Sequence, residues 1–382
     1  MAKEFDTIVY GASGFTGRLV AEYLGKTGAP SFAMAGRNQA KLEEVREEMG
    51  LGDTPIVIAD ADDEASLKEM AKRGKTVLTL TGPYQLYGEK LLKACIDAGT
   101  DYADLCGEPA WMAAKVREAH DAAKASGARI LFSCGFDSIP SDLGVWHVQD
   151  KAVAATGKPA ERVKLLVKAM KGTFSGGTAA SFKATMKAAF SDPQVMQDLM
   201  NPFSLCGDFQ GPEQPDLRAV RYDEDEGTWL APFVMASINT KNVHRTNYLT
   251  GFRHGEGLVY DEMVVTGPGD EGKQRAEAMA ADKSMAGDDG PKPGEGPSKE
   301  ERETGFYELA LVATAADGSR HETVVRGDKD PGYGSTSKMI SEVARCLNED
   351  IPEGEGGLLT PGAALGAKLL ERLHTRAGVT FN

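Results

Sequence analysis

Through residue 145 the chain alternates short apolar runs with stretches whose apolar positions recur at helical spacing. Ile8-Val9-Tyr10, Ser31–Ala35, Pro55–Ala59, Thr76–Leu80, Asp101–Cys106 and Arg129–Ser133 read as strands. Between them, helical patterns follow Gly17, cover Asp63–Arg73, Lys90–Ala98 and Ala113–Ala125, and resume near Leu143. Strand and helix in strict alternation predict an α/β fold with a doubly wound parallel sheet. Beyond Gly144 the pattern changes. Val163–Met170 and Gly257–Thr266 read as strands, and Gly305–Ala315 pairs with Arg320–Arg326 as a hairpin whose turn carries Asp317-Gly318. These predict a second α+β domain with a mixed or antiparallel sheet. Ser337–Leu347 and Ala363–Leu373 are helical in pattern. The expected organisation is a nucleotide-binding domain over 1–145, a substrate or dimerisation domain over 146–330, and C-terminal helices over 331–382 packing back on the first domain. Residues 268–303, rich in Gly, Pro and charge, are expected to form a mobile surface insertion with a short helix at Lys273–Met285.

The first strand runs into Gly11-Ala12-Ser13-Gly14-Phe15-Thr16-Gly17. Gly11 permits the tight turn, Gly14 lets a pyrophosphate approach the main chain, and Gly17 lets the helix lie close to the sheet. The glycine spacing alone is a weak signal, but here it follows a strand and precedes a helix. Gly11, Ser13, Gly14, Phe15, Thr16 and Gly17 are therefore the expected phosphate cradle. About 20 residues past the last of these glycines an NAD enzyme places an acidic residue against the ribose. This chain has Arg37 there, followed by Asn38 and Lys41. A guanidinium suits the 2′-phosphate of NADP and gains nothing from a bare ribose hydroxyl. The competing reading of Arg37 is a solvated charge at a strand end. NADP(H) is the cofactor expected, with NAD(H) second, and Asp60, which ends the third strand, is counted among the cofactor-binding residues.

Composition narrows the classes. The formal charge of −14 argues against nucleic acid and against attraction to an anionic membrane, and leaves Arg18, Arg37 and Lys41 to act locally on phosphate. The five cysteines form neither a disulfide framework nor a zinc pattern, and the six histidines stand apart, so no metal is expected. Single cysteines, a polar start and the lack of an apolar run of about 20 residues predict a cytoplasmic protein without a transmembrane segment, at most peripheral to a membrane.

Ligands in open α/β sheets sit outside the carboxyl ends of the strands. Three ends carry unusual residues: Gly82-Pro83-Tyr84-Gln85-Leu86-Tyr87-Gly88-Glu89, Cys106-Gly107-Glu108-Pro109, and Cys134-Gly135-Phe136-Asp137-Ser138-Ile139-Pro140-Ser141-Asp142. Gly82, Pro83, Tyr84 and Cys106 are placed near the nicotinamide. Tyr84 or Tyr87 can donate a proton after hydride delivery or pack on the cofactor ring. Glu108 can act as an acid or cap a neighbouring helix. Cys106 and Cys134 read as small buried fillers, and Ser141 or Asp142 as a cap for the helix near Leu143. Ser175-Gly176-Gly177-Thr178 reads either as an anion-binding turn facing substrate or as a plain helix start.

Together these segments resemble the saccharopine dehydrogenase-like oxidoreductases, in the branch with the mycobacterial trans-acting enoyl reductases and the vertebrate saccharopine dehydrogenase-like oxidoreductase. The resemblance rests on Gly11–Arg18, Ala35-Gly36-Arg37, the tract Gly82–Asp142, Gly294–Ser298, Asp330–Thr336 and Leu359–Gly366. It implies a Rossmann domain, a second α/β domain, C-terminal helices that return to the first, NAD(P)-dependent reduction, and a homodimer. In the enoyl-reductase branch it implies a small-molecule substrate that is lipid-like and unsaturated. The alternatives are an opine-type dehydrogenase acting on an imine or keto acid, and a cofactor-binding scaffold without catalysis.

Overall fold

The computed structural model describes residues 3–29, 31–172, 176–282 and 296–382. The first part runs β1 (Phe5–Tyr10), α1 (Phe15–Lys26), β2 (Phe32–Gly36), α2 (Gln39–Glu48), β3 (Ile56–Ile58), α3 (Glu64–Arg73), β4 (Gly74–Thr79), α4 (Tyr84–Asp97), β5 (Asp101–Ala103), α5 (Pro109–Ser126) and β6 (Arg129–Leu131). The middle follows with α6 (Ile139–Thr156), β7 (Arg162–Lys171), α7 (Gly176–Ser191), α8 (Pro193–Met200), β8 (Arg221–Asp223), β9 (Thr228–Pro232), α9 (Ala236–Leu249), β10 (Val259–Gly267), α10 (Gly269–Ala281), α11 (Lys299–Thr304), β11 (Phe306–Thr314) and β12 (Arg320–Gly327). The tail holds α12 (Thr336–Arg345), β13 (Gly357–Leu359), α13 (Pro361–Arg372) and β14 (Val379–Phe381).

One sheet has the order β13-β6-β5-β4-β1-β2-β3, parallel throughout. Its strands are short and almost wholly buried, with Ile8, Val9, Met34, Val77, Leu78 and Ile130 shielded by helices on both faces. Strand order reverses between β1 and β4, which opens a crevice at their carboxyl ends. The second sheet, β14-β12-β11-β7-β10-β9-β8, is mixed, with β7 and β10 its parallel pair. Helix α6 packs on its inner face at β11 and β12, where Gly144 leaves no room for a Cβ: one would meet Leu311 at 2.8 Å.

The structure departs from the pattern-based reading in places. The tail gives a three-residue strand to each sheet as well as helices. Gly-Leu-Leu and Val-Thr-Phe are too short to show an alternation of their own. Helix α9 carries no apolar stripe. Its Asn239, Thr240, Lys241, Asn242, His244, Arg245 and Thr246 are all buried, so periodicity could not announce it. Asp142 does not cap its own helix, which starts earlier at Ile139; its carboxylate accepts the Gly362 N–H at 2.9 Å, at the start of α13. Two helices, α10 and α11, stand at the ends of the 268–303 stretch. The helix expected at Lys273–Met285 begins four residues sooner, where Asp270 and Glu271 favour an N-terminus. The centre of that stretch, 283–295, and the opening of the Ser175–Thr178 turn lie outside the described residues.

Candidate cofactor and reaction site

The β1–α1 turn is built around two approaches that tolerate no side chain. Gly11 holds φ +84°, and a Cβ on Gly17 would sit 2.2 Å from the Gly11 carbonyl oxygen and 2.7 Å from Ala12 Cα. The Gly14 N–H closes the turn on the Gly11 carbonyl at 2.9 Å. Gly14 is also the N-cap of α1 and offers no side-chain acceptor, and the first turn holds no acidic residue. The N–H groups at the start of α1 thus have no side-chain cap, the arrangement that receives a phosphate. Ser13 and Thr16 are half-buried on the loop. Phe15 meets the ring of Tyr333 edge-on at 4.7 Å and lies under the Arg302 guanidinium at 5.3 Å, so segments distant in sequence wall the loop.

At the end of β2, Arg37 is exposed and makes no hydrogen bond or ion pair among the described residues. Lys41 is exposed one turn into α2, and Asn38 caps that helix by accepting the Lys41 N–H at 3.1 Å. Asp60, at the end of β3, accepts the Asp62 N–H at 3.0 Å. Arg18 does not share this freedom: it pairs with Glu48 at 3.0 Å. A phosphate cradle, an open helix end and an unpaired guanidinium at the ribose position fit a phosphorylated dinucleotide.

The opposite half of the crevice is tied to the main chain by buried side chains. Gly82-Pro83, joined by a cis bond, lead directly into α4, so Tyr84 and Tyr87 stand on its first turn. Tyr84 is buried; its hydroxyl donates to the Thr79 carbonyl and accepts the Leu105 N–H, each at 3.1 Å. Burial holds its pKa well above the usual value. Tyr84 thereby ties the ends of β4 and β5 together. Glu108 is also buried. Its two oxygens accept the Tyr84 and Gln85 N–H groups at 2.8 Å each, and Ser181 donates to it at 2.7 Å. This carboxylate caps α4 and docks α7. Cys106 is a buried thiol with its pKa pushed up by burial. Its N–H and that of Ser133 reach Asp104 at 2.9 and 3.0 Å, and burial raises Asp104 to about 7. Tyr87 is exposed on the rim.

Sequence reasoning passed over the residue that stands freest here. Asp137, in the β6–α6 loop, is partly exposed, and its carboxylate makes no hydrogen bond among the described residues. It points toward Gly107, where a Cβ would lie 3.7 Å from its Oδ2. The loop is held from two sides. The Phe136 N–H donates to Thr336 Oγ1 at 3.0 Å, and Ser138 Oγ donates to Asn239 and accepts from Asn242. The motif Cys134–Asp142 marked the loop, but only its partners on α9 and α12 single out Asp137. Among the described residues no group of three metal-ligating side chains converges, and no helix is long and apolar enough to cross a membrane.

Comparison with known proteins agrees with this geometry. Residues 7–131 match the family model of the saccharopine dehydrogenase NADP binding domain, and the cofactor is NADP(H). A provisionally named trans-acting enoyl reductase of Mycobacterium tuberculosis is 38% identical over 99% of this chain and 97% of its own. The trans-acting enoyl reductase of Mycobacterium ulcerans is 36% identical over 97% of this chain and 96% of its own. Apo saccharopine dehydrogenase (L-Glu forming) from Saccharomyces cerevisiae superposes over 98% of both chains with TM-score 0.57 at 12% identity, a likeness of fold. The chain belongs to the saccharopine dehydrogenase-like oxidoreductases, together with the trans-acting enoyl reductases, and is an NADP-dependent oxidoreductase.

Proposed function

We propose that the protein is an NADPH-dependent enoyl reductase that saturates the activated C=C bond of a lipid-like acyl substrate. The relatives that match it end to end are named enoyl reductases. The observation that carries the substrate class is the apolar rim beside the reaction end of the crevice. Leu86 and Tyr87 on α4, and Phe182 and Met186 on α7, are exposed next to the junction that Glu108 makes between the two helices. Such surface suits an acyl chain and offers little to an amino-dicarboxylate.

In this reading the main-chain N–H groups of Gly14–Gly17 hold the pyrophosphate, and Arg37 with Lys41 grips the 2′-phosphate. Asn38 keeps Lys41 in place by capping α2, while Asp60 borders the adenosine. Gly82 and Pro83, ahead of α4, and the buried Cys106 would border the nicotinamide. Bound NADPH supplies the hydride. Tyr84 and Glu108 fix the strand and helix ends that position it.

The test is NADPH oxidation by purified protein with α,β-unsaturated acyl thioesters, run beside keto-acid and amine pairs. Turnover of the thioesters is expected. Turnover of the keto-acid and amine pairs alone, or cofactor binding without any turnover, refutes the reading.

A further inference from the structure

We propose that Asp137 is the proton donor of the reduction, its carboxyl facing substrate from the β6–α6 loop; the inference rests on the enoyl-reductase reading above. Saturating a polarised C=C needs two groups delivered to neighbouring carbons. The β-carbon takes the hydride of NADPH, the π electrons move to the α-carbon, and an acid must supply the proton there. The carboxyl proton of Asp137 goes to that carbon. The products are the saturated thioester, NADP⁺ and a carboxylate that regains its proton from water through its exposed side.

Three observations single out this residue. Tyr84 and Glu108 have their polar atoms engaged by main-chain groups, whereas the Asp137 carboxyl is unpartnered among the described residues. It lies at a strand's carboxyl end over Gly107, a residue without a side chain to bar access. The loop behind it is strained and braced. Ser138 holds φ +116°, a conformation costly for a residue with a Cβ, and the Asn239, Asn242 and Thr336 side chains keep it there. Burial alone raises the Asp137 carboxyl from 3.8 to about 6, which leaves a protonated fraction near neutrality. The titratable group whose field couples to it is the Cys106 thiol, which itself feels Asp104 and Glu108, all on the β5 side. The groups bracing it from α9 and α12 are uncharged.

Asp137→Asn is expected to lower kcat at least a hundredfold while changing the Kd for NADPH less than threefold. Asp137→Glu should restore part of kcat, with a displaced pH profile. The wild-type rate should fall as pH rises past about 6, and the Asn variant should lose that limb. A readout without turnover accompanies these. Because the folded-state value is raised, the carboxyl costs stability as pH rises from 3.8 through about 6, so the melting temperature of Asp137→Asn should gain on wild type across that window. An active enzyme in which Asp137→Asn keeps kcat, or in which the Glu variant is as dead as the Asn variant with an unmoved pH profile, overturns the assignment alone. A wild type inert toward enoyl thioesters sinks the underlying reading and the assignment with it.

Discussion

Removing the Arg37 side chain should separate the two cofactors. Arg37 is exposed and unpaired among the described residues, so Arg37→Ala breaks no internal bond, and the fold should stay within about 0.5 kcal/mol of wild type. What it removes is a charge-assisted contact to a phosphate dianion. Such contacts contribute roughly 1.5–3 kcal/mol, and the exposed setting favours the lower half of that range. At 1.4 kcal/mol per decade the Kd for NADPH should rise about 10- to 50-fold. NADH lacks the 2′-phosphate, so its Kd should hardly move. Calorimetric titration of both forms against wild type and variant measures the difference directly. The NADPH preference of wild type should also shrink with added salt, since the pair is open to solvent. Arg37→Asp should reverse the preference by repelling the phosphate and accepting from the ribose hydroxyls. Equal losses for the two cofactors, or tighter NADH in wild type, would refute the role given to Arg37.

Two further substitutions probe the scaffold. Gly17→Ala puts a methyl 2.2 Å from the Gly11 carbonyl oxygen, a main-chain contact that cannot rotate away. It should cost about 1–3 kcal/mol in a denaturant melt and abolish NADPH binding, and unaltered affinity would show that the turn is not the cradle. Glu108→Ala strands two N–H groups at the start of α4 and should lose about 2–3 kcal/mol. Glu108→Gln keeps one acceptor and should retain kcat within a few-fold; a folded, cofactor-binding Gln variant without turnover would instead make Glu108 the acid.

Much of the reaction half of the crevice was hidden from the sequence because its roles depend on partners far along the chain. Tyr84 and Glu108 carry side chains equally suited to catalysis and to support. Which of these they do is set by the Thr79 carbonyl, the Leu105 N–H and the Ser181 hydroxyl around them. Asp137 looks like one more polar loop residue until α9 and α12 are seen to hold its neighbours. Helix α9 buries a run of polar side chains that find partners inside the molecule: Asn239 donates to Glu262 at 2.8 Å, and Lys241 to the Asn201 carbonyl at 2.6 Å.

Local pattern along the chain suffices for the parallel sheet, the glycine turn before α1 and the exposed Arg37 at the end of β2. Those are written in local terms: apolar runs, glycine spacing and one residue at a strand end. Only the packed fold shows that the tail completes both sheets, that Asp142 caps α13, and that the Asp137 carboxyl makes no hydrogen bond among the described residues. A polar group's role follows from which partners occupy its hydrogen-bonding sites, and in this fold those partners can lie more than 300 residues away.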